Sequence, residues 1–182
     1  RGPLRPTTLD GSADERERAV DLAFTSRFAI ITGGPGTGKT TAVRHLMKCI
    51  EAERSMASEN ARPPRWLLCA PTNKALSRLK QGLTDFDFIE FRTAQAAVLV
   101  TYDVPPAGVL VDEASFLDSS LASQLLSKFA ASDQLILVGD PNQLPSVSPG
   151  AVLRDLMERF PTSVFRMTTN HRTEGRALAE AA

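Results

Sequence analysis

The chain has 182 residues, enough for one α/β domain with a full core and too few for two domains of ordinary size. Its 21 acidic and 21 basic side chains cancel, so affinity for nucleic acid cannot rest on bulk charge and would need a specific groove. No apolar run approaches the roughly 20 residues of a membrane-spanning helix. The start, Arg-Gly-Pro-Leu-Arg-Pro-Thr-Thr, lacks an apolar signal core, and it lacks Met, as a piece of a longer protein would. Cys49 and Cys69 lie far apart in apolar stretches with no His at zinc-ligand spacing. They read as buried thiols of a reducing compartment, and no zinc site is expected.

Residues 1–12, rich in Pro, Gly and Thr, read as a loose lead-in. A helical pattern runs from Ala13 to about Ser26, with Ala19, Leu22 and Ala23 toward a core and Glu15, Arg16, Glu17 and Arg18 on a solvated face. Phe28-Ala29-Ile30-Ile31-Thr32 is a short apolar run ending at glycines, hence a buried strand. A helix is predicted over 40–54, a polar loop over 55–64, a strand over 66–70 and a helix near 73–83. The next stretch shows no defined pattern beyond a short helix at 93–100. A third strand at 109–111, a helix at 119–130 and a fourth strand at 134–138 follow. A Pro-rich loop then leads to Gly150, a helix to about Phe160, a fifth strand at 164–167 and the start of a last helix. Wholly apolar strands alternating with helices predict a doubly wound parallel sheet covered on both faces, one α/β domain over 13–182. Ligands of such sheets sit at the carboxyl ends of the strands.

The residues that carry chemistry fall at those ends. Gly33-Gly34-Pro35-Gly36-Thr37-Gly38-Lys39-Thr40 follows a strand and opens a helix, with Thr41 next on its first turn. This is the G-x-x-x-x-G-K-[ST] phosphate loop in the setting that it requires. Glycines let the backbone wrap closely, so that consecutive N–H groups face phosphate oxygens at a helix N-terminus. Lys39 can reach the β- and γ-phosphates of ATP, and Thr40 can offer its hydroxyl to Mg²⁺. Val109-Leu110-Val111-Asp112-Glu113 is an apolar strand ending in two carboxylates. Asp112 can hold the Mg²⁺ and Glu113 can act as general base on water; alternatively Asp112 caps the next helix. Gln143, in the loop after the fourth strand, is either a neutral amide that orients water or a solvated loop residue. Arg172, after the fifth strand, is either a stabiliser of phosphoryl charge or a surface residue; His171 reads as structural.

Together these blocks resemble superfamily 1 helicases of the RecD-like group. The likeness rests on the phosphate loop, Ala70-Pro71-Thr72-Asn73-Lys74-Ala75, Asp112-Glu113-Ala114-Ser115, Gly139-Asp140-Pro141-Asn142-Gln143-Leu144-Pro145 and Asn170-His171-Arg172, in that order, and covers about 13–182. The run Leu144 to Gly150, then Leu153-Arg154-Asp155-Leu156 and Thr169 to Arg172, is most similar to eukaryotic helicase B. The resemblance implies a P-loop NTPase domain of RecA-like form, the first of two motor domains, with the second outside this chain. It implies ATP and Mg²⁺ as ligands, Lys39, Glu113, Gln143 and Arg172 as catalytic residues, and Arg172 as an arginine finger. Pro71, Thr72, Asn73 and Thr93 would contact single-stranded DNA through its backbone, without reading sequence. The full-length protein would be an ATP-dependent helicase moving 5′ to 3′ in DNA replication or repair, inside the cell and nuclear in a eukaryote. Alone, this segment would hydrolyse ATP slowly and not unwind.

The pattern departs from the family at two places. Glu15-Arg16-Glu17 stands where relatives often carry a glutamine that reads adenine, and Thr93-Ala94-Gln95 stands where they often carry Thr-x-His. Two alternatives remain open on the residues alone. One is an RNA-directed superfamily 1 helicase domain, since RNA offers the same phosphates. The other is a non-catalytic nucleotide-binding module that regulates a partner.

Overall fold

The structure is a computed structural model that describes residues 15–56, 64–143 and 151–169. In chain order the elements are α1 (Glu15–Thr25), β1 (Phe28–Gly33), α2 (Lys39–Ser55), β2 (Trp66–Ala70), α3 (Asn73–Gln81), β3 (Ile89–Thr93), α4 (Ala94–Leu99), β4 (Gly108–Val111), α5 (Ser119–Lys128), β5 (Gln134–Gly139), α6 (Val152–Arg159) and β6 (Val164–Met167). Two 3-10 turns, Ala114–Phe116 and Pro161–Ser163, precede α5 and β6. The six strands form one sheet in the order β3-β2-β4-β5-β1-β6, every pairing parallel. Parallel neighbours need crossovers, and the helices supply them on both faces.

Side chains alternate across a strand, so each central strand feeds two cores. Ile31, Leu68, Leu110 and Ile136 point to one face and pack with Val20 of α1, Val43 and Leu46 of α2 and Leu79 of α3. Ile30, Leu67, Val109 and Leu137 point to the other and pack with Ala97 of α4, Leu125 of α5 and Leu153 of α6. Each fully buried aliphatic side chain contributes roughly 1.5–3 kcal/mol of transfer free energy. Burial on both faces explains why the central strands read as unbroken apolar runs. Among the described residues no helix is long and apolar enough to cross a membrane.

The stretch after α3 corrects the sequence reading. It holds β3, an edge strand paired to β2 in the register Leu68↔Phe91 and Cys69↔Arg92. Its sequence Ile-Glu-Phe-Arg-Thr alternates, with Ile89 and Phe91 packed against the first core while Glu90 and Arg92 form an ion pair on the other face. An edge strand needs only half the apolar content of a central one, and the charged pair hid it. The strand at 164–167 is therefore sixth in chain order, at the opposite edge. The lead-in at 1–12 and the last predicted helix lie outside the described residues.

One polar side chain ties α1 to the sheet. Gln134 Nε2, at the start of β5, donates to the carbonyls of Phe24 at 2.8 Å, Ser26 at 3.2 Å and Ala23 at 3.3 Å. These carbonyls at the end of α1 lie where intrahelical partners run out. Gln134→Ala is expected to lower stability by about 1–3 kcal/mol in urea unfolding, the cost of leaving partly buried acceptors unmade. Ligand binding at the opposite end of the sheet should not change.

Candidate functional site

The carboxyl end of β1 runs into the phosphate loop and then into α2. Gly36 and Gly38 have φ of 83° and 90°, a region that L side chains rarely adopt, so glycine at both positions lets the loop turn back on itself. Gly38 serves as the N-cap of α2 and accepts from Ala42 N–H at 2.9 Å. Inside the loop, Lys39 Nζ donates to the carbonyls of Gly33 at 2.6 Å and Gly34 at 3.1 Å. The buried Thr37 adds its hydroxyl to the Gly34 carbonyl at 3.0 Å. The loop's own carbonyls are thus engaged by its side chains, while Pro35, Thr40 and Thr41 remain at the surface.

β4 delivers the two carboxylates. Asp112 N–H donates to the Cys69 carbonyl at 2.8 Å, and Asp112 Oδ1 accepts from Glu113 N–H at 2.9 Å. The helix-cap alternative for Asp112 fails, because Asp118 caps α5 by accepting from Leu121 N–H at 2.8 Å. Burial lifts the Asp112 carboxyl to about 6; the Glu113 N–H and the Lys39 ammonium pull it down, while the Glu113 charge pushes it further up. Glu113 has φ of 53°, and among the described residues it is the one non-glycine residue with positive φ. Left-handed backbone at such a residue costs on the order of 1–3 kcal/mol and is typically stored at functional sites. Its Oε2 is buried without a hydrogen-bond partner.

β5 delivers the third part. Asp140 is buried, and its Oδ1 accepts from Asn142 N–H at 3.0 Å while its carbonyl accepts from Gln143 N–H at 3.1 Å. Gln143 Oε1 is a second buried oxygen without a partner. The loop is joined to the acidic turn by Asp140 N–H, which donates to Ser115 Oγ at 3.4 Å. Sequence reasoning gave Ser115 no role; a hydroxyl between two strand ends carries no signal until those strands are known to be neighbours. A cavity of about 340 Å³ opens between the ends of β1, β5 and β6, lined in part by Gly33, Gly34, Asp140, Asn142 and Arg166.

A Mg²⁺ ion fits this donor set. Among the described residues no three His, Cys, Asp or Glu side chains gather to hold a metal unaided. Mg²⁺ needs no such cage, because one carboxylate, a hydroxyl, substrate phosphates and water suffice. Asp112 and the surface hydroxyl of Thr40 would supply the protein's share.

The positions predicted to meet a nucleic-acid strand lie along the same rim, at the ends of β2 and β3. Thr72 caps α3 by accepting from Ala75 N–H, and Thr93 caps α4 by accepting from Ala96 N–H, each at 3.2 Å. Asn73 is exposed and Pro71 half-buried. Arg172 and His171 lie outside the described residues.

Comparisons with known proteins agree with this fold. A family model described as an AAA domain matches residues 12–182. The RecBCD enzyme subunit RecD of Mycolicibacterium smegmatis is 32% identical over 87% of this chain and 33% of its own length. DNA helicase B of Mus musculus is 26% identical over 90% of this chain and 19% of its own length. The chain therefore spans a third or less of these curated relatives. The crystal structure of Pif1 helicase from Candida albicans shares the fold, with a TM-score of 0.60 and 16% identity over 90% of this chain and 41% of that one.

The raised Asp112 carboxyl has a consequence for the metal-free chain. Its ordinary value is 3.8 and its folded value about 6, so between these the native state holds a proton that the unfolded chain has released. Stability should therefore fall as pH rises through that window and past its upper end, by roughly 3 kcal/mol in total. Urea unfolding from pH 4 to 7 should show this slope in wild type and lose it in Asp112→Asn.

Proposed function

We propose that this chain, which belongs to the AAA domain family and is RecD-like, is the ATP-binding and ATP-hydrolysing motor domain of a DNA helicase. The observation that carries the reading is the convergence of three strand ends. The phosphate loop of β1, the Asp112-Glu113 pair of β4 and the Gln143 loop of β5 share one rim, with buried, unpaired oxygens on Glu113 and Gln143.

In this reading the loop N–H groups and Lys39 hold the phosphates of ATP, and Lys39 exchanges its loop carbonyls for phosphate oxygens. Bound Mg²⁺ would neutralise charge on the β- and γ-phosphates, with Thr40 and Asp112 holding it. Glu113 Oε2 accepts the proton of the attacking water as its oxygen bonds to the γ-phosphorus. The bond to the bridging oxygen breaks, giving ADP and phosphate. Gln143 Oε1 accepts from the same water or a neighbouring one and fixes its line of attack. Arg172 serves as the arginine finger, stabilising charge on the phosphoryl group in transfer.

The finer reading is movement 5′ to 3′ along single-stranded DNA in the full-length protein. Pro71, Thr72, Asn73 and Thr93 would meet the sugar-phosphate backbone, and a second motor domain would close on the nucleotide. The name of the mouse relative, DNA helicase B, supports DNA over RNA as the track.

Lys39→Ala should weaken ATP binding at least tenfold and abolish turnover; unchanged ATPase in that variant would end the nucleotide assignment. Glu113→Gln should keep ATP bound and lower turnover by on the order of 10²–10⁴. Single-turnover phosphate release separates the two outcomes. Mg²⁺ requires ionised Asp112, so its affinity in the presence of ATP should drop as pH falls below about 6.

A further inference from the structure

Glu15 opens α1 and stands at the surface among charged neighbours, yet its carboxylate gathers three donors from the far end of β6. Thr168 N–H donates to Oε2 at 2.7 Å, Thr169 N–H donates to the same oxygen at 2.9 Å, and the Thr168 hydroxyl donates to Oε1 at 2.5 Å. Those bonds, the Thr168 hydroxyl foremost, hold the carboxyl down at about 2, so it is ionised at any working pH.

β6 has reason to need such a partner. It is an edge strand paired to β1 alone, and its ladder ends at Gly33↔Met167. The N–H groups of Thr168 and Thr169 lie beyond that last pair. Glu15 takes both, and charge-assisted bonds of this kind are roughly twice as strong as neutral ones.

The other side of the same strand end touches the phosphate loop. A Cβ placed on Gly33 would lie 2.8 Å from the Met167 carbonyl oxygen and 3.0 Å from Met167 Cβ. Backbone meets backbone there with no room to spare, so where β6 ends decides where the loop begins. α1 also packs on α2, through Ala19, Val20 and Ala23 against Ala42, Val43 and Leu46. The contacts form a closed circuit: α1 to β6, β6 to Gly33, Gly33 through the loop to α2, and α2 back to α1.

We propose that Glu15 is a positioning residue of the nucleotide site: by clamping Thr168 and Thr169 it holds the end of β6 against Gly33 and so fixes the entrance of the phosphate loop. The inference rests on the nucleotide reading above and deepens it. Glu15 contributes no contact to phosphate; it acts through β6. A simple cap on an edge strand would make the same hydrogen bonds without reaching the loop, and experiment can tell the two apart.

The 182-residue chain is compared as wild type, Glu15→Gln, Glu15→Ala and Thr168→Val. The measurements are hydrogen–deuterium exchange of peptides covering 28–38 and 164–169, affinity for a fluorescent ATP analogue with Mg²⁺, and the thermal midpoint. Glu15→Ala should speed exchange in both peptides and weaken affinity about tenfold, with a midpoint shift of a few degrees at most. Glu15→Gln keeps an acceptor oxygen and should recover most of the affinity. Thr168→Val should cost less than Glu15→Ala and add nothing to it in the double variant. Faster exchange confined to 164–169 with affinity unchanged would reduce Glu15 to a strand cap and overturn the proposal. So would a Thr168→Val loss that adds fully to the Glu15→Ala loss. If the wild-type chain binds no analogue and matches Lys39→Ala, the nucleotide reading is what fails. Exchange in 28–38 then still decides whether Glu15 governs the loop.

Discussion

Main-chain N–H groups can grip a polyanion only where the main chain cannot relax around its own dipoles, and the turn from Gly33 to Lys39 meets that condition from within. Every inward carbonyl competes with phosphate for the field inside the loop. Here Lys39 Nζ and the Thr37 hydroxyl engage the Gly33 and Gly34 carbonyls, and the Thr37 bond remains when the lysine turns to phosphate. That leaves the N–H faces and the positive end of α2 to act together. The two left-handed glycines make the geometry attainable, and the buried Thr37 makes it rigid. The rest of the molecule is arranged to keep this turn in place and to bring the right groups to its rim.

Strand order does the second task. β1 lies between β5 and β6, and β4 lies beyond β5, so the acids of β4 reach the loop across the end of a single intervening strand. That intervening strand carries the Gln143 loop. The bond from Asp140 N–H to Ser115 Oγ ties the acidic turn to that loop. Two buried acceptors, on Glu113 and Gln143, then stand without donors in a site otherwise satisfied by its own backbone. Leaving such oxygens unpaired costs on the order of 1–3 kcal/mol each, a cost usually retained where a ligand or water supplies the donor.

Much of this was legible in the residues because burial on both sheet faces forces central strands to be apolar throughout. Phe28–Gly33, Trp66–Ala70 and Gly108–Val111 announce themselves for that reason, and the glycine pattern after the first of them announces the loop. β3 stayed hidden because an edge strand with a Glu90–Arg92 pair buries one face only and mixes charge into its pattern. Glu15 read as part of a solvated helix face for a different reason. Its partners lie 153 and 154 residues away, and two of the three bonds it accepts come from backbone N–H groups, which leave no trace in residue type. Ser115 is silent for the same cause. Local pattern reveals what a segment buries; it does not reveal which distant backbone a side chain will hold.

Under the proposed function, the rim beyond the phosphate loop is where a chain of zero net charge would meet a charged strand. Thr72 lies just past the end of β2 and Thr93 ends the neighbouring β3, and each begins a helix. Each hydroxyl oxygen already accepts a helix N–H, so its own proton is what remains to give. A capped hydroxyl is also held in one rotamer, which spares the ordering entropy that a free serine or lysine would lose on contact. Donors fixed at helix starts favour a phosphate backbone by direction and helix dipole instead of bulk charge. They give position without base selectivity, which is what a motor stepping along arbitrary sequence would require of this edge.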